Sequence, residues 1–180
     1  VEAKRALTFA AQQNMDYERA LAMLTVDALE RLAGTSTSDT MRLEALAVLE
    51  RHVGRDHPLY VSTLGSLASV YRARKEYDRA EPLLRQVLAA ERKTYGDRHL
   101  KVALVANNLG LMLADVGRFD EAEALLAENL EVHRRVLGEE HPDTPIAMNN
   151  LASLYSTSGR YPEAGGEQRC TEMKGKPKGG

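Results

Sequence analysis

The chain repeats itself at a step of 42 residues, and no other feature of it narrows the fold so sharply. At that step His57, His99 and His141 share a column, as do Gly54, Gly96 and Gly138, and Leu67, Leu109 and Leu151. Tyr77, Phe119 and Tyr161 align, as do Ala80, Ala122 and Ala164, with Leu83/Leu125, Leu84/Leu126 and Leu88/Leu130 behind them. Two full units follow, 57–98 and 99–140, and the first half of a third, 141–164. Such a unit cannot bury its apolar faces alone, so it must stack on its neighbours.

Within each unit the apolar spacing is helical and falls into two runs. Leu64, Leu67, Ala68 and Tyr71 mark one face of a first helix. It starts at His57-Pro58, or His141-Pro142-Asp143, where proline suits a first turn whose N–H groups need no helical partner. The second run begins at Tyr77, carries Ala80, Leu83, Leu84, Val87 and Leu88, and ends at Gly96, a residue type that closes helices in the left-handed conformation. Only 74–76 and 116–118 separate the runs, which forces antiparallel neighbours. The 25 Leu and 24 Ala, against 2 Phe and no Trp, favour helix throughout. The expected fold is all-α, a solenoid of antiparallel helical hairpins.

The run Met148-Asn149-Asn150-Leu151-Ala152-Ser153-Leu154-Tyr155, followed by Gly159-Arg160-Tyr161-Pro162-Glu163-Ala164, resembles the tetratricopeptide repeat. The 42-residue period, the paired Asn and the junction Leu137-Gly138-Glu139-Glu140-His141-Pro142 are similar to the variety found in kinesin light chains and many bacterial signalling proteins. The resemblance covers about 57–164 and implies a right-handed superhelix whose first helices line a concave face.

Segment 1–56 reads as N-terminal helices of one or more degenerate repeats, and two registers compete there. By strict period, 15–33 is a first helix and 38–53 a second, which puts Thr25 and Arg42 in core columns. Matching Tyr17-Glu18-Arg19-Ala20 to Tyr77-Asp78-Arg79-Ala80 instead makes 1–13 a first helix, 16–33 a second and 38–53 an extra one. At the other end the columns fail, because Glu167, Gln168 and Glu172 fall where leucines are due after Gly165-Gly166. Residues 165–180 read as a disordered tail, with fraying expected after about 160 or a partner covering that end. The start at Val1, without a signal-peptide pattern, reads as a fragment of something longer.

The formal charge of -2 gives no basic excess for nucleic acid or anionic lipid, and no apolar run is long enough to span a membrane. The single Cys170 excludes an internal disulfide framework and a cysteine metal cluster, so a reducing, cytoplasmic setting is expected. The recurring His57, His99 and His141 do not read as metal ligands: stacked hairpins hold equivalent positions about 10 Å apart, whereas zinc needs nitrogens at about 2 Å. A histidine before a helix start reads instead as a turn cap. Carboxylates at Glu139, Glu140, Asp120, Glu121 and Glu123 sit at helix starts, where they complement the dipole. None of the nucleophile-elbow, phosphate-loop, dinucleotide or zinc-protease motifs occurs. No catalysis, cofactor or metal is expected.

What remains is surface. At about 100° per residue, the side of the first helix opposite its core face carries Ser62, Ser66, Ser69 and Ala73. The same columns continue as Leu104, Asn108, Leu111 and Asp115, then Ile146, Asn150, Ser153 and Thr157. Arg72, Asn107 and Asn149 flank them. By the resemblance these columns form the groove. An amide ladder at Asn108 and Asn150 can pair with the backbone of an extended peptide, and Leu104, Leu111 and Ile146 add an apolar floor for anchor side chains. With Arg72 the only base on this face, a neutral or apolar-anchored segment fits better than an acidic chain end. The alternative for the Asn residues is that they bridge or cap neighbouring helices. The expected peptide-binding set is Ser66, Ser69, Arg72, Leu104, Asn107, Asn108, Leu111, Asp115, Ile146, Asn149, Asn150 and Ser153.

The function this implies is a protein-interaction module that binds a peptide segment of a partner, within a larger signalling or adaptor protein. The rival reading is a structural element that self-associates through its uncovered C-terminal end.

Overall fold

The computed structural model describes residues 12, 14–26 and 39–159; the expectations for 1–11, 27–38 and 160–180, the tail and Cys170 among them, lie outside the described residues. Helix α1 covers 14–26. It is followed by α2 (Asp39–His52), α3 (Pro58–Ala73), α4 (Tyr77–Tyr95), α5 (Leu100–Asp115), α6 (Phe119–Val136) and α7 (Asp143–Ser158). Among the described residues there is no strand. From α2 to α7 each helix packs on the next, and α5 also reaches α7, so the architecture is the expected series of all-α hairpins.

The α3–α4 and α5–α6 hairpins close through the same backbone device. After α3, Lys75 N–H bonds to Arg72 O (3.0 Å) and Glu76 N–H to Tyr71 O (2.8 Å); after α5, Gly117 N–H bonds to Ala114 O (3.0 Å) and Arg118 N–H to Leu113 O (2.9 Å). This pair of bonds uses up the last helical carbonyls and requires a left-handed residue in the turn. Gly117 meets that need at φ 79°, whereas Lys75 adopts φ 61° against its own Cβ. Between units, Gly96 closes α4 at φ 76°, ψ 164°. This is an extended positive-φ geometry rather than the left-handed helical one expected from sequence, and it too belongs to glycine.

The histidine column caps helix starts. Nδ1 of His57 accepts from Leu59 N–H (3.2 Å), that of His99 from Lys101 N–H (3.1 Å) and that of His141 from Asp143 N–H (3.2 Å). Each ring satisfies one of the free N–H groups of a first turn. We expect His99→Ala to lower stability by about 1 kcal/mol and His99→Asn, which keeps an acceptor, to lower it much less, as read from urea denaturation. Equal loss in both variants would show that the ring acts through packing instead.

The core is continuous. A single cluster runs from Leu46 in α2 through Leu67, Leu84, Leu109 and Leu126 to Leu154 in α7. Leu67, Leu109, Leu113 and Leu126 have no exposed surface at all. At the N-terminal end the two registers are mixed. Arg42 is fully buried in the column of Leu84 and Leu126, as the strict period places it, yet Thr25 is exposed and Ala20 is buried like Ala80 and Ala122. The rings of Tyr17 and His52 meet at 5.6 Å, so the start of α1 lies against the end of α2.

Ion pairs cross between successive second helices. Arg85 bonds Glu81 within α4 and Glu121 on α6, while Arg118 bonds Glu81 and Glu121 in return. For Glu81 burial is the largest single influence and would raise its pKa, but the hydrogen bonds from Arg118 and Arg85 outweigh it and hold the carboxyl below its ordinary value. Glu121 is held low by hydrogen bonds from Arg85 and then Arg118. Carboxyls that are more acidic when folded contribute stability at neutral pH, and lose it as pH falls through their folded values. The urea midpoint is therefore expected to drop over that acid window, and to drop less in Arg85→Met. Because the ring is partly exposed, the effect is small and weakens with salt.

Candidate functional site

The first helices α5 and α7 lie side by side with α6 behind them, and a cleft of about 270 Å³ opens where the three meet. Leu104 and Asn107 reach it from α5, Asn129 and His133 from α6, and Asp143, Ile146, Ala147 and Asn150 from α7. Leu104 and Ile146, one 42-residue step apart, are 60% and 57% exposed. Each is apolar in a column that holds Ser62 in the preceding unit. Neither is needed by the core, since Val102, Ala103, Ala106 and Leu109 seat α5 and Ala147 and Leu154 seat α7.

Beneath them lies a cluster of three amides. Asn107 Oδ1 accepts from Asn150 Nδ2 at 2.8 Å and from Asn129 Nδ2 at 3.4 Å. Behind it, His133 Nδ1–H donates to the Asn129 carbonyl oxygen at 2.8 Å, which fixes the ring against its own helix.

The structure sorts the expected binding residues. Leu104, Asn107, Ile146 and Asn150 share the cleft. Of the expected amide ladder at Asn108 and Asn150, Asn150 donates one Nδ2 hydrogen to Asn107 Oδ1 at 2.8 Å, as in the bridging alternative. Leu111 is half-buried, packs against the core and does not line this cleft. Asp115 accepts from Tyr77 Oη at 2.9 Å, a bond that raises the Tyr77 pKa and leaves Asp115 engaged at the helix end. Asn149 and Ser153 are exposed on α7, and Asn108 is half-buried on α5. Ser66, Ser69 and Arg72 belong to α3 and do not line the cleft. Ser69 is exposed and turns its hydroxyl to Gly65 O (2.9 Å), while Ser66 and Arg72 are half-buried.

Sequence reasoning missed Asn129, His133 and Asp143. The first two lie on a second helix, excluded by the rule that first helices line the groove. A signal was present nonetheless: Asn129 stands in the column of Val87. Among the described residues no group of three or more His, Cys, Asp or Glu is placed to hold a metal ion, and no helix is long and apolar enough to cross a membrane.

Paired helices in series, with the α3–α4 and α5–α6 turns closed alike, define an α-helical repeat protein. The tetratricopeptide repeat family matches residues 37–93, 62–115 and 101–164, more than half of the chain, and the chain belongs to that family. None of the curated proteins matches it. Its fold is similar to that of BtubC (BKLC) from P. vanneervenii, with a TM-score of 0.62 and 21% identity over 67% of this chain and 48% of that one. The chain thus spans about half the length of BtubC. It is also similar to the nearly identical TPR-like repeats of a Podosopora anserina protein described as a kinesin light chain, with a TM-score of 0.62 and 22% identity over 85% of this chain and 68% of that one. A substituted form of those repeats gives a TM-score of 0.60 and 20% identity, over 88% of this chain and 86% of that one. Tetratricopeptide repeats generally serve as protein-interaction modules.

Proposed function

We propose that the face shared by α5 and α7 binds an extended peptide segment of a partner protein, as a non-catalytic arm of a larger signalling or adaptor protein in the cytoplasm. One observation carries this reading: two large apolar side chains, Leu104 and Ile146, stand exposed at the repeat spacing above a cleft floored by amides. Exposed apolar groups rimmed by polar ones are what an anchor side chain seeks, and helices held by a shared core present them with less ordering cost on this side. The single cysteine accords with a reducing compartment.

The test is a peptide array probed with the wild-type chain and with Leu104→Asp/Ile146→Asp. Both positions are exposed, so circular dichroism should be unchanged. Binding is expected to fall by about tenfold or more, equivalent to about 1.4 kcal/mol. An identical set of bound peptides at identical strength would refute the reading. Light scattering over a concentration series separates it from self-association, since a peptide-binding monomer keeps its mass.

A further inference from the structure

Asn129 occupies on α6 the place that Val87 holds on α4, and both are buried, to 2% and 5% exposure. Its Nδ2 makes only the long 3.4 Å contact to Asn107, and its Oδ1 has no protein donor. Turning the Asn129 amide alone would set a second oxygen against Asn107 Oδ1, which already accepts from Asn150 Nδ2 at 2.8 Å. In this arrangement the base of the cleft holds an acceptor without a protein donor, in a position where the preceding unit uses a plain apolar side chain.

The surroundings repeat that bias. With Nδ1–H of His133 committed to a carbonyl, the neutral ring has only an acceptor nitrogen left. Asp143 brings a carboxylate whose side chain is 57% exposed. No residue lining the cleft carries a fixed positive charge. The walls contributed by Leu104 and Ile146 are aliphatic.

An aliphatic entrance, an acceptor at the bottom and a carboxylate in a lining without lysine or arginine complement a long side chain that ends in N–H donors. We infer that the cleft takes a lysine or arginine side chain of the bound segment. Its stem lies between Leu104 and Ile146, its head pairs with the exposed Asp143 carboxylate, and the Asn129 amide, whose Oδ1 is covered in the unbound chain, turns to accept from it. The inference rests on the peptide-binding reading of this face and names what the face selects.

The probes are three acetylated, amidated heptapeptides, Gly-Ser-Leu-X-Leu-Ser-Gly, with X arginine, norleucine or glutamate, titrated into isotope-labelled full chain. The readout is the side-chain amide signals of Asn107, Asn129 and Asn150 in NMR spectra. The arginine peptide should move these signals and bind about tenfold more tightly than the norleucine peptide, with glutamate weakest. Asn129→Val, which installs the residue of the preceding unit, should erase the preference while circular dichroism stays unchanged, and Asp143→Asn should reduce it. Equal binding of the norleucine peptide overturns the basic-side-chain assignment and leaves the apolar groove standing. So does an arginine preference that survives Asn129→Val. If no peptide moves the three signals at millimolar concentration, the cleft assignment falls, and the array result with the Leu104/Ile146 variant decides separately whether the face binds peptide at all.

Discussion

Leu126→Ala should lower the stability of the chain by about 3 to 4 kcal/mol, the range for a leucine truncated where its neighbours cannot close the gap. Leu126 is fully buried, and it fills the space that Gly110 leaves on α5. A Cβ at Gly110 would lie 3.0 and 3.1 Å from Leu126 Cγ and Cδ2 and 3.3 Å from the Ala122 carbonyl oxygen, so α5 and α6 approach closely enough there that a methyl fits only if Leu126 gives way. Two opposite effects follow for Gly110→Ala. In the wild type the added methyl collides with the middle of a buried side chain and a backbone oxygen, which outweighs the helix propensity gained and costs about 1 kcal/mol or more. In Leu126→Ala the same methyl enters the cavity and recovers stability. Urea denaturation of the four proteins should therefore give a coupling of about 1 to 3 kcal/mol. Simple additivity would mean that the two helices do not interlock at this point.

The second large effect has the opposite sign. Asn129→Val is expected to stabilise the chain by about 1 to 2 kcal/mol, because it removes a buried amide with one unpaired oxygen and one long hydrogen bond. Val87 shows that the equivalent site between α3 and α4 accepts valine at 5% exposure. Asn107 keeps its 2.8 Å bond from Asn150 in the variant, so the rest of the cluster is not orphaned. A gain in stability with a loss of ligand preference is the pattern of a residue retained for binding. A loss of stability would instead make Asn129 part of the scaffold.

The repeat columns made α3 to α7 legible because each core position is stated two or three times, and an apolar face that recurs at helical spacing has one physical meaning. The histidine caps were legible for the same reason. The site was less so. Asn107-Asn108 and Asn149-Asn150 each offer two amides about 100° apart around the helix, and which one meets the neighbour depends on how the helices are rotated against each other. The structure joins Asn107 to Asn150, across columns. Arg42 is buried where leucine stands in the later units, and a charged residue in an apolar column looks like a broken register until its surroundings are seen. The same blindness hid Asn129.

A core without an internal seam also sets how such a chain can change length. Each hairpin presents to its successor the surface that its predecessor presented to it, so duplicating or excising one whole unit rejoins matching surfaces. Any other increment would bring an apolar ridge against a solvated one. Length in this architecture is counted in hairpins, and the face formed by the first helices widens or narrows by one helix at a time.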